Sequence, residues 1–363
     1  MRVKLEDVCE RGSSSLKQSD VIDKIGEYPI YGATGYLGDV DFYHQEKPYV
    51  AVVKDGAGIG RTTLHPAKSS VIGTMQYLLP KENVLPEYLC YVVRYMHLEK
   101  YFTGATIPHI YFKDYKNEEF NMETLERQKE IVSILENVEN IIESRQQELI
   151  KLDDLIKARF VELFGILENP VQNFRRTTLK ELCSKITDGK HGGCTQEEGT
   201  KRYFVGAREI YDDEVHYDTA PEINVDEFEK DYKRCNIEIG DFLIVNTGAT
   251  IGKSAIATDA RTVHTLLQKS VALLKVKQEL LNPVFLKWCY RVNTTMYMVE
   301  SASAQPNLLL SKINATEIYV PDIGMQEQFA DFVVQVDKSK VAVQKALDEA
   351  QLLFDSLMQK YFG

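Results

Sequence analysis

The chain has 363 residues, 44% of them hydrophobic and 27% charged, which suits two or more separately cored domains. It lacks a run of about 18 to 20 apolar residues, a signal-peptide core and any C-x-x-C pair, so we expect a cytoplasmic protein without disulfides or zinc. The net charge of -11 does not favour DNA, but the short segments 121–165 and 321–363 carry most of it, so DNA binding stays open.

The first body, residues 1–120, combines strand and helix patterns. Residues 49–53 form a short β-rich run that leads into a glycine turn at 56–61. Further along, residues 87–101 have the apolar spacing of a helix. This combination predicts a domain of the α+β (mixed α/β) class.

The segment 121–165 predicts a long helix with one apolar face. Its seam positions follow alternating steps of four and three residues, the spacing of a coiled coil. At about 1.5 Å per residue the seam makes a rod of roughly 50 Å. The positions are Ile131, Leu135, Val138, Ile142, Arg145, Leu149, Leu152, Ile156, Arg159 and Leu163.

The chain then repeats itself, with a second body at 166–320 and a second helix at 321–363. Residues 299–363 match 101–165 without a gap, so the molecule has an approximate internal two-fold repeat. Each helix needs an apolar partner, and the other helix is the nearest candidate; the alternative is that each packs only on its own body. The second seam is Phe329, Val333, Val336, Lys340, Val343, Leu347, Ala350, Phe354, Leu357 and Tyr361.

The glycine turn that ends in Gly252, Lys253 and Ser254 raises a nucleotide-binding alternative. A phosphate-binding loop needs four residues between its glycines so that successive backbone N–H groups wrap the phosphates, and this turn has the wrong spacing from Gly248. Two interpretations remain. The turn is a structural hairpin, or it delivers Arg61 and Lys253 to DNA bases or phosphates.

Familiar catalytic patterns are missing from the sequence. Methylation of an exocyclic amino group calls for an Asn/Asp-Pro-Pro-aromatic loop, and the chain has no Pro-Pro pair. Its only Pro-Asp pair, at 321–322, is not followed by the acid-x-Lys of a metal nuclease. We therefore expect no catalytic and no metal-binding residues; an enzyme with an unfamiliar site is the alternative, which activity of the isolated chain on labelled DNA would reveal.

Each half of the chain has three short motifs in the same order. They are YPIYGATG at 28–35, GAGIGR at 56–61 and TIPH at 106–109 in the first half, and ITDGKH at 186–191, TGATIGK at 247–253 and SAQPNL at 303–308 in the second. With this doubled order the chain resembles, over its full length, the specificity subunits of Type I restriction-modification enzymes. The second helix has the family's entry, Pro321 with Glu327 and Gln328, whereas the first copy departs from it with Arg127 and Gln128.

The resemblance implies that each body is a target-recognition domain for one half of a bipartite double-stranded DNA site. The two helices would pair as an antiparallel coiled coil that separates the half-sites, whose centres lie about one DNA turn apart. It also implies two modification subunits that bring S-adenosylmethionine and methylate adenine, and restriction subunits that use ATP and Mg. No cofactor is expected on this chain.

Side chains of the motif turns and their neighbours are the candidate DNA contacts. The bodies differ in length, so we expect an asymmetric target; a coiled-coil scaffold that ignores DNA is the main alternative, and it would show no salt-dependent DNA binding. The candidates are Tyr31, Thr34, Tyr36, Arg61, Thr62, Thr106, His109, Asp188, Lys190, His191, Asn246, Thr247, Lys253, Ser254, Gln305 and Asn307.

Overall fold

The computed structural model describes residues 1–21, 24–103, 108–298 and 307–363. The chain forms two compact units, one made of Met1–Gln147 with Gln344–Gly363 and the other of Glu148–Val343. Each unit thus contains one body and a part of each long helix. Within the described ranges, no helix is long and apolar enough to cross a membrane.

The first unit is built on a four-stranded antiparallel sheet of order β2-β8-β5-β6, beside a second sheet of order β4-β3-β7 and the pair β1-β9. Its elements are β1 (Arg2–Lys4), α1 (Leu5–Val8), β2 (Cys9–Ser13), β3 (Tyr28–Gly32), β4 (Gly35–Val40), β5 (Tyr49–Val53), β6 (Thr62–His65), β7 (Ser70–Val71), β8 (Met75–Pro80), α2 (Pro86–Tyr95), α3 (Phe112–Tyr115), β9 (Glu119–Asn121) and the first part of α4 (Leu125–Phe164).

Strand β5 is buried along its whole length because both faces of its sheet are covered. Val50 and Val52 point into the core that contains α2, whereas Tyr49 and Val53 point into a smaller core on the other face. Successive side chains of a strand alternate between faces, so this run has to be apolar throughout. Because β5 is held in the core as far as Val53, the turn that follows it starts from a fixed position.

The second unit repeats this sheet in the order β11-β18-β15-β16. Its elements are the last part of α4, β10 (Arg175–Thr178), α5 (Leu179–Leu182), β11 (Cys183–Asp188), β12 (Tyr203–Val205), β13 (Ile210–Tyr211), β14 (Glu214–Val215), α6 (Val225–Asp231), β15 (Phe242–Val245), β16 (Ser254–Ile256), β17 (Thr265–Leu267), β18 (Val271–Val276), α7 (Pro283–Val292), α8 (Leu310–Ala315), β19 (Glu317–Val320) and the first part of α9 (Ile323–Phe362).

Helices α4 and α9 pack antiparallel within each unit. In the first, the Arg127 guanidinium lies 5.8 Å from the ring centroid of Tyr361. In the second, the ring centroids of Phe160 and Phe329 are 5.4 Å apart, and the Lys340 ammonium is 2.6 Å from the Asp153 carboxylate. None of the predicted seam residues is exposed, which confirms the seam.

The alternative in which each helix packs only on its own body is wrong. Met358 and Phe362, at the end of α9, belong to the core of the first unit, where the Phe362 and Tyr88 rings meet edge to face at 5.3 Å. The C-terminal helix therefore completes the core of the first body. The observed helices, strands and repeat confirm the predicted mixed fold class.

A buried glutamine ties the start of each long helix to its body. The Gln128 side chain accepts from the backbone N–H of Leu85 at 2.8 Å and donates to the carbonyl oxygens of Asn83 and Glu123, both at 3.0 Å. Gln326 makes the corresponding bonds in the second unit. The first helix is thus held like the second, although its entry sequence departs from the family pattern.

Candidate nucleic-acid interface

The two glycine turns are hairpin turns of the same geometry. In the first unit the backbone N–H of Val53 donates to Arg61 at 2.9 Å, and the N–H of Gly60 donates back to Val53 at 2.9 Å. In the second, Val245 pairs with Lys253 and Gly252 in the same way, at 2.8 and 3.0 Å. Each turn joins two antiparallel strands, whereas a phosphate-binding loop leads from a strand into a helix. Neither turn therefore has the geometry of a phosphate-binding loop, which removes the basis of the nucleotide-binding alternative.

The last glycine of each turn lies against a neighbouring segment. Gly60 has φ +83°, and a Cβ built there would be 2.6 Å from the backbone nitrogen of Glu99. Gly252 has φ +93°, and its Cβ would be 2.4 Å from the ring of Tyr297. Both positions combine a left-handed backbone with a close approach, so only glycine fits without a shift. These contacts fix the turns on their bodies.

Each turn ends in an exposed cation followed by a buried hydroxyl side chain. Arg61 and Lys253 are exposed and form no ion pair within the described ranges. Thr62 is buried and its hydroxyl donates to the Gly60 carbonyl at 3.0 Å, and Ser254 is buried as well. Arg61 and Lys253 therefore stay candidate contacts, whereas burial argues against direct contact by the two hydroxyls.

Equivalent pairs close the two turns with different chemistry. In the first unit, Asp55 and His109 pair as a β-bridge, and their side chains bond at 2.7 Å. Thr247 and Asn307 form the same bridge in the second, with a side-chain bond of 3.3 Å. Partial burial alone would raise the pKa of Asp55, but the hydrogen bonds from Lys54 and His109 outweigh it and lower that pKa. The first pair thus joins a carboxylate to an imidazole, whereas the second joins a hydroxyl to an amide.

The hairpin of β3 and β4 forms a separate patch in the first unit. Thr34 and Tyr36 are exposed at its tip, where the Tyr36 hydroxyl donates to Asp39 at 2.7 Å. Tyr31 is half-buried, with its ring 4.4 Å from that of His65. Burial lowers the pKa of His65 to about 4, so this histidine is neutral. Thr34 and Tyr36 stay available for contact, and Tyr31 mainly supports the hairpin.

Asp188, Lys190 and His191 are held by partners from the longer second body. Asp188 accepts from Arg234 and bonds His191 at 3.0 Å, and these bonds outweigh its burial and lower its pKa. Lys190 lies 2.6 Å from Asp231, whose hydrogen bond raises the pKa of Lys190 to about 12. The positive charge of Lys190 is therefore compensated by a carboxylate of the protein itself, whereas His191 is exposed.

The remaining candidates support the turn or lie outside the described residues. Asn246 is buried, and its backbone carbonyl accepts from Leu308 at 2.7 Å, so it holds the segment that carries Asn307. Thr106 and Gln305 are not among the described residues. In the described ranges, no cluster of three or more His, Cys, Asp or Glu side chains could hold a metal ion.

Tyr111 and Lys113 are two exposed residues that follow His109 and lie outside the motifs. The Tyr111 and His109 rings are nearly parallel, with centroids 6.4 Å apart. The Lys113 ammonium lies 5.3 Å from the Tyr111 ring centroid. An aromatic residue and a lysine two positions apart, directly after the motif, were the signal available in the sequence.

Comparison with known proteins agrees with this geometry. The S subunit of a Type I restriction-modification system from M. genitalium is similar in fold, with a TM-score of 0.60 and 16% identity, covering 100% of this chain and 96% of that one. A second solved structure, described as the structural basis of complex assembly and conformational transition of the type I R-M system, is also similar in fold. Its TM-score is 0.60 at 15% identity, and the match covers 99% of this chain and 97% of that one.

No curated protein sequence matches the chain. The family model of the Type I restriction modification DNA specificity domain matches residues 1–153 and again residues 172–350, which is most of the chain and both copies of the repeat. The chain therefore belongs to the Type I restriction-modification DNA specificity family, whose members are the non-catalytic, DNA-recognising components of these systems.

Proposed function

We propose that the body at 1–120 and the body at 166–320 each read one half of an asymmetric bipartite DNA site. The observation that carries this proposal is the repeated hairpin turn, which in both copies presents an exposed cation without an ion-pair partner among the described residues. A free arginine or lysine on a turn fixed to its body can bond guanine in the major groove or grip a phosphate.

The proposed asymmetry rests on the side chains around the two turns. The first turn has Arg61 and is closed by the carboxylate and imidazole of Asp55 and His109. The second has Lys253 and is closed by the hydroxyl and amide of Thr247 and Asn307. Arginine can bond a base with two parallel N–H groups, whereas lysine offers a single point charge. Different donors and acceptors favour different base edges, so the two half-sites should differ.

In this proposal, α4 and α9 set the distance between the half-sites and provide the surface on which two modification subunits dock. Each helix has 40 residues, or about 60 Å at 1.5 Å per residue, and the paired seam stiffens both. S-adenosylmethionine would belong to the modification subunits. ATP and Mg would belong to restriction subunits where the system has them.

Alanine at Arg61 and at Lys253 tests the contact role of each turn. With the chain co-expressed with its modification subunit, R61A should weaken binding to the target duplex about 5- to 150-fold, the cost of about 1–3 kcal/mol for a base contact. K253A should do the same through the other half-site, and each variant should tolerate a changed base in its own half only. Binding is measured by fluorescence anisotropy.

Arg11→Ala is the matched control because it removes an exposed arginine on β2 that our proposal leaves out. Unchanged binding by both turn variants would remove the turns from the interface. A complex that binds no duplex in a salt-dependent way would favour the scaffold alternative instead.

A further inference from the structure

We propose that Tyr111 and Lys113 form a DNA-phosphate contact of the first body, and that the second body has no counterpart. The inference deepens the proposed function and rests on it. It assigns a sequence-independent contact with the DNA phosphate backbone to the first body only.

The backbone places Tyr111 directly beside the first glycine turn. The N–H of Gly56 donates to the Pro108 carbonyl at 3.0 Å, and the N–H of Ile110 donates to Lys54 at 3.0 Å. These bonds pair residues 108–110 with the start of the turn. Tyr111 therefore directly follows a segment that is paired with the start of the turn that ends at Arg61.

The side chains that follow this pairing form an exposed row. Half of the Tyr111 surface is exposed, and its ring lies nearly parallel to that of His109 at an angle of 23°. Lys113 is exposed, with its ammonium 5.3 Å from the Tyr111 ring centroid. A cation over an aromatic ring is restrained but keeps its charge, so Lys113 is available to an anion.

Other lysines of this region lack that availability. Lys54 is paired with Asp55, and Lys100 is paired with Glu118. Lys113 has no carboxylate partner in the part of the chain that the structure describes. Of these three cations, Lys113 is therefore the one left to meet a phosphate.

The chemistry of this row favours phosphate over a base edge. Lysine offers a single point charge, whereas the planar guanidinium of arginine can form two parallel hydrogen bonds to a base. Tyrosine hydroxyls commonly bond phosphate oxygens. Such contacts position the protein on the duplex without reading its sequence.

The second body supplies an internal comparison. Tyr111 directly precedes α3, and Leu309 directly precedes the equivalent helix α8. Lys113 is the second residue of α3, and Ser311 is the second residue of α8. Leu309 and Ser311 are both exposed and uncharged. The exposed Lys312 follows them, but its ammonium donates to a backbone carbonyl at 2.7 Å, so the second body has no counterpart of the tyrosine–lysine pair.

The test is the salt dependence of DNA binding by the full chain in complex with its modification subunits. Anisotropy is measured over a series of KCl concentrations on two duplexes of about three helical turns, one with the mapped target and one with scrambled half-sites. K113A should weaken binding to both duplexes by a similar factor. The slope of log K against log salt should become shallower by about 1, and Lys113→Arg should restore it.

The reciprocal variant asks whether the contact can be built into the other half. Changing Leu309 to tyrosine together with Ser311 to lysine should strengthen binding to both duplexes and steepen the slope by about 1. Lys47→Ala, which removes an exposed lysine just before β5, is the matched charge control and should leave the slope unchanged.

Any of the following three outcomes would overturn the inference. An unchanged slope for K113A would remove the contact, and the proposed function would stand as long as the target is bound more tightly than the scrambled duplex. A loss confined to the target duplex would show base readout instead of phosphate binding. If neither duplex is bound in a salt-dependent way, the proposed function fails together with the inference.

Discussion

Replacing Gly60 with alanine is expected to destabilise the first unit and to abolish recognition of its half-site. Alanine at φ +83° costs about 1–2 kcal/mol, and its Cβ would also lie 2.6 Å from the Glu99 nitrogen, so the backbone of one segment must move. Because Arg61 is the next residue, that movement displaces the proposed contact. Denaturant unfolding and methylation mapping measure the two effects.

Gly56→Ala is the matched control for this prediction. Gly56 has φ +88°, but a Cβ there has no neighbour within 4 Å, so the variant has the backbone strain without the close approach. We expect it to lose about 1–2 kcal/mol and to keep its half-site. Equal losses for the two variants would contradict the role assigned to the contact with Glu99.

Adding one heptad to each long helix is expected to lengthen the DNA spacer and to leave both half-sites unchanged. Insertions after Leu149 and Leu347, equivalent seam positions, preserve the alternating seam. Seven residues add about 10 Å at 1.5 Å per residue, which corresponds to about three base pairs of DNA. Genome-wide methylation mapping gives the new spacer directly.

A heptad added to only one helix is the control for the double insertion. It shifts one seam against the other, so we expect it to abolish methylation instead of changing the spacer. Altered half-sites in the double variant would show that the helices take part in base readout, and the proposal that they measure distance would fail.

Apolar patterns predicted the long helices and β5 well because each long helix buries one face and β5 is buried on both faces. The seam and the β-rich run at 49–53 correspond to α4, α9 and β5. The predicted helix at 87–101 was too long, since α2 ends at Tyr95. There His97 takes the left-handed region at φ +50° and residues Leu98–Tyr101 form a 3-10 turn. Apolar spacing continues through that break, so periodicity alone could not reveal it.

The candidate site was predictable only where it depends on local sequence. Glycines and the cation after them identified both turns, because a left-handed backbone requires glycine. The partners of Lys190 could not be found in this way, since Glu227 and Asp231 come from a distant helix of the longer second body. Likewise, the burial of Thr62 depends on which face of β6 it occupies.

The most direct test of the account is exchange of one body at a time in a strain that carries the modification subunit, followed by mapping of methylated adenines. We predict a bipartite, asymmetric motif. Replacing residues 1–120 should change one half of the motif, and replacing residues 166–320 should change the other half, with the spacer preserved. Two identical half-sites would contradict the asymmetry, and a motif in which either replacement alters both halves would contradict the central claim that each body reads its own half-site.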